Sequence, residues 1–249
     1  MRPSILKRLT GLILPIPLVL AATACGPQPG TDATSSSADT RIASQASRAQ
    51  RMNEALRSAA EPFEAVTEQA PTASWDRLDS LIGKAVAAVR SVRPGLGGTS
   101  AATIDRQLAA LRTSRSAQDR IGIAMAAVES YRALVEARDP GSADPPIPVS
   151  LLDYAGFRYD ALARSSSPDW REMLRLTEFA RQQWLQVAPK LQSRALPGVV
   201  DSALDAMASA AERQDSVAAN KSAAVELALV DLIEEAIAVR PGAGAPAGR

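Results

Sequence analysis

The sequence predicts an all-α fold, an antiparallel bundle of about six to seven helices with no sheet. Apolar residues recur at steps of three and four almost continuously from Thr40 to Val239. No run of β-branched residues alternates with polar ones. Proline and glycine fall at intervals suited to short helix connections, which make neighbouring helices antiparallel.

The first stripe is Ile42, Ala46, Ala49, Met52, Leu56, Ala59, Phe63 and Val66, which predicts a helix over residues 40–70. Pro62 lies inside it and should kink the helix or start a new one, because it lacks an N–H and its ring crowds the preceding turn. Residues 74–240 supply the bundle domain. Ser74 is placed to cap a helix whose stripe is Trp75, Leu78, Ile82, Val86 and Val89. "RPGLGGTS" breaks it; with no strand before it and no GxxxxGK pattern, it reads as a flexible connection rather than a phosphate loop.

Ile104, Leu108 and Leu111 open the next stretch, and the stripe resumes at Ile121, Met125, Val128 and Val135. Spacing leaves open whether residues 103–138 are one helix or two. "DPGSADPPIP" ends that stretch. A helix follows in "VSLLDYAGFRYDALAR", then one capped by Ser167 with Pro168 in its first turn, closed by Pro189. Pro197 opens a helix with the stripe Val200, Leu204, Met207 and Ala211. The last helix, from about Ser216, points Val225, Leu229, Leu232, Ile233 and Ala236 inward and leaves Glu226, Asp231, Glu234 and Glu235 on a polar side. Residues 241–249, rich in Gly, Pro and Ala, read as a loose tail.

The 249-residue chain has 28 basic and 27 acidic residues, a formal net charge of +1. Such a balance argues against a nucleic-acid partner. At the N-terminus Arg2, Lys7 and Arg8 precede an uncharged apolar stretch from Leu9 to Ala22. That stretch is shorter than the roughly 20 residues a spanning helix needs, and it contains Pro15 and Pro17. Residues 1–24 therefore read as a signal peptide. Small residues Ala22, Thr23 and Ala24 lead to Cys25, the only cysteine.

This order of charged head, apolar run, small residues and cysteine resembles the lipobox of bacterial lipoproteins, although Ala22 stands where leucine is usual. The resemblance covers about the first 25 residues. It implies cleavage before Cys25 and acylation of its sulfur, so that several acyl chains anchor the chain to a membrane. In a cell with two membranes the expectation is the outer one, facing the periplasm, because Gly26 is not the aspartate that often holds such proteins at the inner membrane. Residues 25–39 after the cut are rich in Gly, Pro, Ser and Thr and read as a flexible tether.

The chemistry is mostly one of exclusions. With no histidine and a single cysteine, zinc, copper and iron sites of the usual kind have no ligands. Asp231, Glu234 and Glu235 lie within one turn but lack a ligand loop, so no metal or other cofactor is expected. Neither GxSxG nor SxxK frames a serine, and no catalytic residue is assigned.

One constellation stands out. Six of the nine aromatics, Tyr154, Phe157, Tyr159, Trp170, Phe179 and Trp184, fall within 31 residues. The stripe Leu152, Ala155, Tyr159 and Leu162 would face the core, leaving Phe157 on another side, and Arg158 could stack on Tyr154. These rings either fill the core or, with Tyr154, Phe157, Arg158, Tyr159 and Trp184 as candidates, form a ligand or partner site. The expected function is a non-catalytic, lipid-anchored envelope protein that binds another envelope component as an adaptor. The alternative is a carrier of a small or lipidic ligand in a cavity lined by Tyr154, Tyr159 or Trp184. Uncovered surface patches would favour the first and an enclosed aromatic cavity the second.

Overall fold

Among the described residues eight α-helices follow one another: α1 (Ala33–Gln69), α2 (Trp75–Val92), α3 (Gly98–Ser116), α4 (Arg120–Glu136), α5 (Ile147–Ala163), α6 (Trp170–Val187), α7 (Leu196–Glu212) and α8 (Ser216–Ala238). The computed structural model describes residues 33–238, with side chains from residue 43 onward, and among them there is no strand. Residues 1–24, read from the sequence as a signal peptide, Cys25, the first part of the stretch read as a tether and residues 241–249, read as a tail, lie outside the described residues. The first turns of α1 fall in the stretch read from the sequence as tether. One compact unit begins at Arg41 and holds all the helices after α1.

Residues 103–138 form two helices, α3 and α4, and they are joined by a device used twice. After α3 the N–H of Gln118 bonds to the carbonyl of Arg115 and that of Asp119 to Ser114. After α7 the N–H of Gln214 bonds to Ala211 and that of Asp215 to Ala210. Both glutamines sit in the left-handed region, φ 56° and 55°. Both aspartates then cap the next helix, Asp119 accepting from Gly122 N at 2.9 Å and Asp215 from Val217 and Ala218 N at 3.0 Å. The pattern is a Schellman C-cap run directly into an N-cap, and its three-residue length folds each pair back on itself.

Other ends differ in detail from expectation. Ser74 caps α2, accepting from Arg77 N at 3.3 Å. The cap of α6 is Asp169 rather than Ser167: its carboxylate accepts from Glu172 N at 2.9 Å, and Pro168 lies just ahead of the cap. The reason is charge, since a carboxylate at a helix N-terminus is favoured by both the free N–H groups and the dipole. Helix α1 passes through Pro62 without a break in its assignment. The residues one turn earlier, Arg57 and Ser58, are exposed, so water can reach the side of the helix where Pro62 leaves a carbonyl without its usual partner.

The core is centred on α5, which packs against α4, α6 and α8. Eleven of its 17 residues are buried, more than one face can supply, so it is enclosed on most sides. α3 packs on α4, α6 on α7 and α7 on α8, while α1 adds Leu56, Ala59, Ala60, Phe63 and Val66 to the same core. The predicted stripe of α7 is buried at Val200, Leu204, Met207 and Ala211. That of α1 is buried only from Leu56 onward; Ala46 and Met52 are exposed. α8 differs most: its buried face is Ala219, Ser222, Ala223, Glu226, Leu229, Val230 and Ile233, and Val225 and Leu232 are about half exposed. Among the described residues no helix is long and apolar enough to cross a membrane.

Candidate functional site

The aromatic segment is core. Tyr154, Phe157, Tyr159 and Trp184 are all buried. Phe157, expected to face outward, turns in and meets the edge of Tyr131 with ring centroids 6.4 Å apart. It can do so because α5 has neighbours on several sides, which leaves few outward directions for a large ring. Each polar tip has a partner. Tyr159 Oη donates to the carbonyl of Met207 at 2.6 Å, Trp184 Nε1 to Asp201 Oδ1 at 2.8 Å, and Tyr154 Oη to Glu129 Oε1 at 3.0 Å.

The cation over Tyr154 is Arg132, 5.0 Å from the ring centroid and 5.6 Å from that of Phe179, and not Arg158. Arg158 instead pairs with Glu129 of α4 and, at 3.2 Å, with Glu172 of α6, tying both to α5. Two acids within reach outcompete a ring for a guanidinium.

A different site emerges where α1, the α4–α5 connection and the end of α8 meet. Asn53 of α1 clamps the connection: its Nδ2 donates to the carbonyl of Asp139 at 2.9 Å and to Ser142 Oγ at 3.0 Å, while its Oδ1 accepts from Asp139 N at 2.7 Å. Arg138, 4% exposed, holds the same connection from behind through Ser150 Oγ at 3.1 Å and the Pro145 carbonyl. On this frame opens a cleft of about 320 Å³ lined by Gln50, Asn53, Glu54, Arg57, Ser142, Asp144, Pro145, Glu234, Ile237 and Ala238. Three carboxylates line it against one arginine, so it is an acidic recess.

Carboxyl groups continue from the cleft into the bundle. Burial raises the Glu234 pKa, with Asp231 and Asp144 adding to the effect and Arg57 and Arg138 opposing it. Glu64 of α1 is pushed up to about 8, first by burial and then by Glu234, Glu61 and Glu68. Asp153 of α5 stands well above the carboxylate range, from burial and then the charges of Glu64, Glu234, Glu226 and Asp231. Burial, then the charges of Asp153, Glu64 and Glu234, hold the Tyr131 hydroxyl up, and it donates to the Ser150 carbonyl at 3.1 Å. Of these groups only Glu234 lines the cleft, and a perturbed carboxyl in a cleft marks a candidate site.

Glu226 is separate. It is 1% exposed between α5 and α8, neither carboxyl oxygen has a hydrogen-bond partner, and burial alone raises its pKa to about 8. It fits because residue 156 is glycine: a Cβ there would lie 2.1 Å from Glu226 Oε2.

Among the described residues no group of acids is arranged to hold a metal ion, and Asp231, Glu234 and Glu235 diverge. Glu234 turns into the cleft while Glu235 is exposed. Tyr154, Tyr159 and Trp184 line neither this cleft nor the groove between α7 and α8. Sequence reasoning missed Asn53, Glu64, Asp153 and Glu226, although Glu226 lies in step with Ala219, Ala223, Val230 and Ile233, a spacing legible in the chain. Comparison of the chain with protein-family models, curated proteins and solved structures gives no match.

Proposed function

We propose that this chain is a non-catalytic, lipid-anchored protein of the bacterial envelope, facing the periplasm from the outer membrane where the cell has two, and that its helical bundle binds another envelope component as an adaptor. The anchor rests on the order Arg2, Lys7 and Arg8, apolar run, small residues, Cys25. The binding role is supported by one observation above the others, the open acidic cleft over the Asn53 clamp. Its carboxylates outnumber its cations, so the complementary group is a Lys or Arg side chain presented by the partner. The aromatic rings, with Phe157 and Phe179 packed edge to face against tyrosines and Tyr159 and Trp184 tied by their polar tips, favour this reading over a carrier.

Mass spectrometry of the envelope-extracted protein tests the anchor: the expected N-terminal peptide begins at an acylated Cys25, and a free thiol in a chain cut elsewhere refutes it. A photo-crosslinking residue at Glu54, in intact envelopes, tests the cleft. The expected result is a discrete adduct that disappears when Asp144→Lys and Glu234→Lys reverse the cleft's charge. The same adduct from a control position at Ala87 of α2, or none from Glu54, overturns the binding role.

A further inference from the structure

Among the described residues the outer face of α8 leaves Val217, Val225 and Leu232 exposed, and its sequence is complementary to itself. At about 100° per residue, Val217, Lys221, Val225, Ala228, Leu232 and Glu235 fall within about 40° either side of one line along the helix. That line is opposite the buried face of Ala219, Ala223, Glu226, Val230 and Ile233. Val217, Val225 and Leu232 are 66%, 51% and 50% exposed, and Val199, on the facing edge of α7, is 48% exposed. These are four of the seven exposed large apolar side chains among the described residues, so the patch is concentrated rather than scattered.

From Lys221 the stripe advances by four, three, four and three, the spacing of a coiled-coil seam. Charge is polarised along it. Lys221 stands at one end and Glu235 at the other, both exposed and neither in an ion pair among the described residues. Beside the Lys221 end, the groove between α7 and α8 is lined by Ser202, Ala203, Ala206, Ser209 and Ser222, and its two charged residues, Lys221 and Arg213, are both cations. Arg213 is held there by a contact with Ser209 Oγ.

We propose that two copies of this chain pair through α8, antiparallel, about a twofold axis at Ala228. In that register Lys221 stands level with Glu235 of the second copy and Ala228 with Ala228, Val225 packs beside its Leu232 with an axial stagger of about 1.5 Å, and the same contacts repeat in reverse. The twofold makes every contact occur twice, as an isologous interface requires. Alanine on the axis lets the two helices approach closely. The second copy's Glu235 reaches the end of the groove where Lys221 and Arg213 carry uncompensated positive charge. A parallel pairing would instead set Lys221 against Lys221 and Glu235 against Glu235, which like-charge repulsion disfavours. The pairing uses the side of α8 away from Glu234, so the acidic cleft stays open in the pair, and the inference stands independently of the adaptor role.

The full-length chain in its native membranes tests this with Ala228→Cys under mild oxidation, against the wild type, whose only cysteine is Cys25, and against Ala87→Cys on the exposed side of α2. A disulfide-linked dimer specific to Cys at 228 is expected. Lys221→Glu or Glu235→Lys alone should weaken self-association of the purified full-length chain, read by sedimentation in detergent, by roughly tenfold, since two ion pairs become two repulsions. The double reversal should restore it, and Leu232→Lys should abolish it with the thermal midpoint unchanged. Equal loss in the single and double reversals, a crosslink from position 228 only to a protein of different mass, or no dimer at all overturns the proposal.

Discussion

Replacing Glu226 should stabilise the protein, by an amount that depends on pH in a defined direction. Its carboxyl is buried without a hydrogen-bond partner, and burial raises its pKa from an ordinary value near 4.5 to about 8. A carboxyl whose folded pKa is raised binds its proton more tightly in the folded state. Below pH 4.5 both states are protonated and nothing is lost. Above it the unfolded chain ionises while the folded one cannot, so stability falls steadily until pH 8 and then levels off.

At pH 7 the separation of 2.5 pH units from the ordinary value corresponds to about 3 kcal/mol, and above pH 8 the full difference approaches about 5 kcal/mol. Glu226→Gln keeps the shape and cannot ionise. Its advantage over the wild type should be near zero at pH 4, then about 3 kcal/mol at pH 7, a rise in Tm of roughly 6–12 °C for a domain of this size. Urea denaturation followed by circular dichroism from pH 4 to pH 8.5 measures it, with the difference between the two proteins as the readout. That difference also removes the contribution of Glu64, which shifts in the same sense in both. A gap independent of pH, or a Glu226 carboxyl titrating near 4.5 by NMR in the folded protein, refutes the reasoning.

Three further outcomes follow from the same geometry. Gly156→Ala should destabilise by about 1–3 kcal/mol, since the new methyl meets Glu226 Oε2 and Leu227, and in combination with Glu226→Ala only the Glu226 part of that cost should vanish, the Leu227 contact remaining, as a double-mutant cycle would show. Gln118→Gly and Gln214→Gly should each raise the thermal midpoint slightly, by up to about 1 kcal/mol of stability, because glycine takes the left-handed conformation without the strain that glutamine carries there. Phe157→Ala and Tyr159→Ala should both cost about 3–5 kcal/mol in chemical denaturation, and a Phe157 variant of unchanged stability would contradict its place against Tyr131.

What the sequence determined by itself is local. The apolar spacing of α7, the Ser74 cap, the helix ends near Pro140, Pro189 and Pro197, and the absence of strands among the described residues all follow from neighbours within a few residues, where the periods of 3.6 and 2 and the missing N–H of proline act directly. The division of residues 103–138 was equally local and still escaped, because Gln-Asp is an uncommon way to write a left-handed cap and its following N-cap.

Which side of a helix is inside was decided only by tertiary structure. On α8 Val225 and Leu232 pointed to one face by hydrophobicity, yet α5 and α7 cover the other, so Glu226 is buried and the two apolar residues face water. On α5 Phe157 looked misplaced until α4, α6 and α8 enclosed the helix. The acidic cleft joins Asn53 to Asp139 across 86 residues of chain. No local pattern encodes that meeting, since the free energy that places those groups together is the burial of the whole core and not a preference of either segment.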